Sequence, residues 1–399
     1  MELTLLGTGG PEGLPRHGCP CAACASAASE GVRAPASLLV DDALLLDLTP
    51  GPAFAAARAG RSLGGVRHVL LSHPQSGPPV DLPPGLPAPG RTPDGESLVL
   101  VSGHRVRAVA VDAPGTGYRV TGPDGHTLLY LPPGAGPAGD AAGGDPYDLV
   151  LLDVPGRPDA LARLRGAGAV TATTDVVAVH IDHDVQPGAE LHRRLAALGA
   201  RAVADGATLR VGEYHAVPDL PRRTLVLGGA RSGKSVEAER RLSAFPSVVY
   251  VATAGRRDGD SEWDRRVVVH RERRPASWRT VETCDLLPLL AEGDGPPLLV
   301  DCLALWLTRA MDECGAWDDE VWFSGGEREL RSRTDSLVSA WRGTRRTVVA
   351  VSNEVGGGVV PATSSGRRFR DELGRLNAAV AAESERVLLV VAGQVLTLR

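Results

Sequence analysis

A chain of 399 residues is long for a single hydrophobic core, and two domains of ordinary size are expected. The formal net charge of −5 offers no general attraction for nucleic acid, whose binding needs a basic surface. The sequence holds no apolar run of about eighteen residues, so no membrane span is expected.

In chain order, the opening MELTLLGTGG reads as a strand and turn rather than a signal peptide, which points to a soluble cytoplasmic protein. GCPCAAC, Gly18 to Cys24, then brings together three of the six cysteines, Cys19, Cys21 and Cys24. Cysteines so spaced make a poor disulfide framework and a better metal site in a reducing compartment. Three reduced surface thiols are the plainer alternative. Nine of the ten histidines lie in this half, whereas all six tryptophans and both asparagines, Asn353 and Asn377, lie in the other. Two domains of different composition are expected, 1–216 and 223–399, joined by the short Pro-containing stretch Val217 to Arg222.

Thr224 to Leu227 (TLVL) reads as a short buried strand, Gly228 to Ser235 (GGARSGKS) as a glycine loop and Val236 to Leu242 as a helix, the order of a phosphate-binding P-loop. In such a loop the backbone N–H groups of Gly228, Gly229, Ala230, Arg231, Ser232 and Gly233 turn around a phosphate. Lys234 then reaches the β/γ oxygens and Ser235 ligates Mg²⁺. Lys234 is the one lysine in a chain that otherwise uses arginine, so this position needs a compact ammonium rather than a planar fork.

Pro297 to Asp301 (PLLVD) is an apolar run closed by a carboxylate. In that form Asp301 either orients Mg²⁺ or caps the strand. His270 stands beside Arg271, Arg273 and Arg274. Neighbouring positive charge lowers an imidazole's pKa and holds phosphates for attack by the ring nitrogen, although a solvated histidine is the simpler reading of spacing alone. Asn353 and Glu354 end the strand TVVAVSNE, where open α/β sheets place ligand contacts, or where the two only stabilise a turn.

GGARSGKS, VVYVATA (Val248 to Ala254), HRERRPASWRTVE (His270 to Glu282), DCLALWLT (Asp301 to Thr308), SNEVGGGVVP (Ser352 to Pro361) and RRFRDELGRLN (Arg367 to Asn377) occur in one order. In this the region 223–399 resembles the bifunctional adenosylcobinamide kinase/adenosylcobinamide-phosphate guanylyltransferases of cobalamin biosynthesis. The resemblance implies a γ-phosphoryl transfer from GTP or ATP to the aminopropanol hydroxyl of adenosylcobinamide. It further implies GMP transfer from GTP to that phosphate through a guanylyl-histidine, which His270 matches. Nucleotide contacts are implied at Gly228 to Ser235, at Thr253, Ala254 and Gly255, and at Arg273, Arg274, Glu282 and Asp301. Glu282 is a candidate reader of the guanine edge, since a carboxylate accepts from N1–H and N2–H. A homo-oligomer is also implied, a trimer among its forms, with the acceptor pocket between subunits. A kinase acting without guanylyl transfer is the rival reading.

In the first half, LTLLGTGG, GCPCAAC, ALLLDLTPG (Ala43 to Gly51), HVLLSH (His68 to His73) and VVAVHIDH (Val176 to His183) resemble the metallo-β-lactamase fold, in its phosphodiesterase branch of phosphonate degradation. That family holds two metals with an HxHxDH cluster, whereas this chain has HPQSGP from His73 to Pro78. Ala113 and Pro133 stand where a further histidine and a bridging aspartate are implied. His73 and His180 alone cannot fix two divalent metals, so hydrolysis is expected to be absent. An active metal-dependent phosphodiesterase is the competing reading, and a binding module is a third. The branch also implies a structural Zn²⁺ held by Cys19, Cys21, Cys24 and His183, a closed tetrahedral set. The fold class expected is therefore α/β: an αββα domain, then a P-loop NTPase-like domain with a mainly parallel sheet and flanking helices.

Overall fold

The computed structural model describes residues 1–29, 31–74, 80–213, 215, 220–253 and 274–399, and the chain divides into two compact units, Met1–Leu220 and Pro221–Arg399. Three residues of the expected linker, 217–219, lie outside the described residues. No helix among the described residues is long and apolar enough to cross a membrane.

The first unit contains strands β1 (Glu2–Gly7), β2 (Ser37–Val40), β3 (Leu44–Leu46), β4 (His68–Leu70), β5 (Ser97–Val99), β6 (Arg105–Val109), β7 (Gly117–Thr121), β8 (Thr127–Tyr130), β9 (Leu149–Leu152), β10 (Asp175–Ala178), β11 (Arg201–Ala202) and β12 (Thr208–Arg210). Its helices are α1 (Ala22–Ala27), α2 (Pro52–Arg58), α3 (Pro158–Gly166) and α4 (Ala189–Ala197). The strands form two sheets, in the orders β12-β1-β2-β3-β4 and β11-β10-β9-β8-β7-β6-β5.

Alternation decides which face is which, because successive strand side chains point to opposite sides. Leu3, Leu5, Leu38, Val40, Leu44 and Leu46 of the first sheet share one buried core with Val106, Tyr118, Leu128, Tyr130, Leu149 and Val177 of the second. The intervening Leu39, Leu45 and Val69 turn the other way and pack with Ala56 of α2. On the second sheet, β9, β10 and β11 run parallel. Their crossover helices α3 and α4 must cover a face, and the inner one is filled by the first sheet. The result is an αββα sandwich.

The second unit has one sheet of β13 (Arg223–Gly228), β14 (Val249–Ala252), β15 (Arg279–Glu282), β16 (Leu298–Asp301), β17 (Val348–Asn353), β18 (Arg386–Val391) and β19 (Gln394–Thr397). The order is β15-β14-β16-β17-β13-β18-β19, with every pair parallel except β18 and β19. Central strands are apolar on both faces, as Leu225 and Val226 are, because helices cover both sides. Among those described are α5 (Lys234–Leu242), α6 (Leu287–Ala291), α7 (Leu303–Glu313), α8 (Glu327–Gly343) and α9 (Ser364–Ala382). In α9, Thr363 caps the first turn by accepting from the Gly366 N–H at 3.1 Å. The helix then buries Leu373, Leu376, Asn377 and Val380, one stripe at helical spacing. Each of its aliphatic members contributes about 1.5–3 kcal/mol by burial.

Candidate functional site

The glycine loop begins at the last residue of β13 and ends at the second residue of α5. A Cβ on Gly228 would lie 2.4 Å from Ser232 Oγ and 2.7 Å from the Val390 carbonyl oxygen, so no side chain fits there. Gly233 turns the chain into α5 at φ 100°, where glycine is unstrained. Arg231 adopts φ 58°, and the Ser232 carbonyl accepts from the Gly393 N–H at 2.9 Å. Ser232 Oγ is buried with no hydrogen-bond partner among the described residues, a polar atom left for a ligand inside the loop. Lys234 Nζ donates to the Gly229 carbonyl at 3.1 Å, which folds the ammonium over the loop. The loop's backbone donors, this cation and the amino end of α5 together suit an anion.

Asp301 closes β16, and its Oδ2 accepts from the Tyr250 hydroxyl at 2.8 Å. The Tyr250 ring in turn carries the Arg274 guanidinium 3.6 Å from its centroid. Burial, with Asp301 nearby, raises the Tyr250 phenol far above its ordinary range, so it remains a donor. Thr253, at the end of β14, is tied to the next strand twice: its hydroxyl donates to the Cys302 carbonyl at 2.7 Å and accepts from the Cys302 N–H at 2.8 Å.

Glu282 ends β15 on the rim of a cavity of about 690 Å³ lined by Thr253, Cys284, Leu286, Trp306 and Arg309 among others. It sits four strands from β13 in the sheet order, roughly 19 Å at the usual spacing. The sheet therefore aligns the loop, Asp301 and Glu282 along one edge without gathering them at one point. Ala254, Gly255, His270, Arg271 and Arg273 lie outside the described residues.

Sequence reasoning missed the lock on the end of β17. Ser352 Oγ donates to Asn377 Oδ1 at 2.6 Å, and Asn377 Nδ2 donates to the Asn353 carbonyl at 3.0 Å. The available signal was that the chain has only two asparagines, Asn353 and Asn377, and these two meet here.

In the first unit, Cys19, Cys21, Cys24 and His183 converge, with all four ligand atoms within 4.8 Å of one another. His183 Nδ1 lies 3.3, 3.6 and 3.6 Å from the sulfurs of Cys19, Cys21 and Cys24. The edge between N and S in a tetrahedral zinc site is about 3.6 Å, so the donor set fits a metal ion. The Cys24 N–H, donating to Cys21 Sγ at 3.4 Å, brings the Cys21 thiol down to about 7 and favours the thiolate that a metal takes.

His73 and His180 meet in a different setting. Buried Asp47 accepts from Ser72 Oγ at 2.6 Å, from Ser72 N–H at 2.7 Å and from the Tyr130 hydroxyl at 2.6 Å. With its proton given to Asp47, Ser72 Oγ accepts from His73 Nδ1–H at 2.9 Å. Burial works against the charge on Asp47, but His73, Ser72 and Tyr130 outweigh it and hold the carboxyl below its usual range. His180 Nε2 donates to the Leu131 carbonyl at 3.1 Å, and burial pushes its imidazole down to about 4. Gln75 to Pro78, the rest of the altered ligand motif, are outside the described residues.

Residues 224–398 match the family described as cobinamide kinase / cobinamide phosphate guanyltransferase. A relative from Pseudomonas aeruginosa, named bifunctional adenosylcobalamin biosynthesis protein CobP, is 45% identical over 175 residues, 43% of this chain and 94% of that protein. The chain belongs to this family. The family's region is the second unit, with the phosphate loop, Asp301 and Glu282 all inside it. The chain is also similar to the crystal structure of Zn(2+)-bound PqqB from Methylobacterium extorquens, with 18% identity, 53% of this chain and 100% of that chain covered, and a TM-score of 0.38. Similar too is a structure titled as a new diphosphatase from the PhnP family, with 20% identity, 52% and 97% covered, and a TM-score of 0.38.

Proposed function

We propose that the second unit phosphorylates the aminopropanol hydroxyl of adenosylcobinamide and then guanylylates the product, with His270 as the covalent carrier. The observation that carries the reading is the family match over 224–398 combined with a phosphate loop whose buried Ser232 Oγ awaits a partner. In the kinase step Gly228 to Ser235 hold a nucleoside triphosphate and Lys234 neutralises its outer phosphates. Ser235 and Asp301 are hard oxygen donors suited to Mg²⁺, which when bound screens the phosphate charge.

In the second step a ring nitrogen of His270 forms a bond to the α-phosphorus of GTP as the bond to pyrophosphate breaks. The phosphate of adenosylcobinamide phosphate then takes the GMP group, which frees the imidazole and gives adenosylcobinamide-GDP. Arg273 and Arg274 steady the charge, and Thr253, Ala254 and Gly255 lie along the nucleotide. The cavity beside Glu282 supports assigning that carboxylate to the guanine edge, because its apolar wall suits a base and its rim carries the acceptor. We assign the first unit a structural Zn²⁺ on Cys19, Cys21, Cys24 and His183 and no hydrolysis, since His73 and His180 alone cannot hold two divalent metals and Ala113 and Pro133 replace two further ligands. The protein acts in the cytoplasm, as a homo-oligomer.

Incubation with α-labelled GTP tests the carrier: acid-labile label on the protein is expected, and it disappears in His270→Ala. An unlabelled wild-type chain that still phosphorylates adenosylcobinamide would leave a kinase alone.

A further inference from the structure

In the sheet, β13 and β17 are parallel neighbours whose outgoing connections run in opposite directions. The one from β13 leads through α5 to β14, and the one from β17 leads through α9 across β13 to β18. Right-handed crossovers place two such connections on opposite faces, so a crevice opens between the carboxyl ends of these two strands. The glycine loop forms one wall of it. The other wall begins at Asn353, which pairs in register with Gly228, and the next N–H, of Glu354, donates to the Gly228 carbonyl at 3.1 Å.

Glu282, Asp301 and Glu354 all lie on this edge of the sheet. Glu282 is four strands from the loop strand and Asp301 two, whereas Glu354 follows the adjacent strand. At the usual spacing these offsets are roughly 19, 10 and 5 Å. Asp301 is already engaged by Tyr250. Glu354 is exposed, and its Oε1 accepts from the Gly356 N–H at 2.6 Å, which fixes the carboxylate of a residue whose own N–H is bonded to the loop's first glycine. The strand end beneath it is locked by buried Asn377 through Ser352 and the Asn353 carbonyl. This is rigid support for a group that must meet a phosphate-bound reactant.

We propose that Glu354 is the proton acceptor of the kinase step. As the acceptor hydroxyl oxygen bonds to the γ-phosphorus, its proton passes to the Glu354 carboxylate. The bond from the γ-phosphorus to the β,γ-bridging oxygen breaks, and the nucleoside diphosphate leaves with that electron pair. The guanylyl transfer has no use for this group, because its acceptor is a phosphate that carries no proton to remove. The inference rests on the kinase reading above and deepens it.

The test is Glu354→Gln in the full chain, which keeps a side-chain oxygen for the Gly356 N–H. With adenosylcobinamide and GTP, kcat of phosphorylation is expected to fall about 100-fold with little change in nucleotide KM. Labelling of the protein by α-labelled GTP, and its discharge by adenosylcobinamide phosphate, should survive. A variant that phosphorylates at the wild-type rate overturns the proposal, as does loss of both half-reactions together with nucleotide binding. A wild-type chain that phosphorylates no adenosylcobinamide removes the kinase reading itself, and the proposal with it.

Discussion

Tyr250 and Asp301 are joined by a 2.8 Å hydrogen bond between neighbouring strands, so one carboxylate oxygen of Asp301 is held in place. Tyr250→Phe keeps the ring under Arg274 and removes only the hydroxyl. Loss of the bond is expected to cost about 1 kcal/mol of stability. With Asp301 as the proposed Mg²⁺ ligand, it should also raise the Mg²⁺ concentration for half-maximal kinase rate about tenfold, the usual scale for an outer-shell partner of a metal ligand. A Mg²⁺ titration of both proteins checks this, and coincident curves refute it.

The Cys19, Cys21, Cys24 and His183 cluster predicts one tightly held zinc per chain. Cys21→Ser removes a ligand and also the sulfur that caps the first turn of α1. Elemental analysis should find zinc lost in the variant, and the first unit should melt at lower temperature, because binding energy of such sites is folding energy. All six tryptophans lie in the second unit, so their emission should be unchanged while circular dichroism reports the loss. Full zinc content in Cys21→Ser would contradict the assignment.

His180 predicts acid sensitivity of the first unit. Its imidazole faces Asp47, His73 and Tyr130, and burial lowers it from 6.5 to about 4 in the fold. A histidine held neutral takes up a proton on unfolding, so its contribution is complete above about 6.5 and is lost as pH falls through about 4. The total is roughly 3 kcal/mol. His180→Asn removes the titration, and asparagine tolerates the left-handed φ of 58° at this position. Circular-dichroism melts from pH 7 to 4 should fall more steeply for the wild type, and parallel slopes would remove His180 as the cause.

What the sequence revealed was contiguous chemistry. A phosphate loop must be built from successive residues, so Gly228 to Ser235 could be read directly, and Asp301 was visible because a carboxylate ended an apolar run. The Cys and His cluster was readable through family resemblance, although His183 is distant in sequence from the thiols. The locks were not readable. Tyr250 to Asp301, Ser352 to Asn377 and Tyr130 to Asp47 are hydrogen bonds across 51, 25 and 83 residues, and no periodicity encodes such pairings. A tyrosine within the aliphatic run VVYVATA was the one local hint, since a buried phenol needs a partner.

In the first unit β1 pairs with β12, Leu3 opposite Leu209, and the thiol of Cys24 meets His183 across 159 residues. A ribosome adding about 5–20 residues per second takes roughly 8–32 s to cover that interval. Through that time the nascent chain carries an open sheet edge and an incomplete set of metal ligands. The unit cannot close piecemeal: β1 waits for β12 and the thiols wait for His183, so any ribosomal pause between Cys24 and His183 lengthens the exposure of that edge and of three unligated thiols.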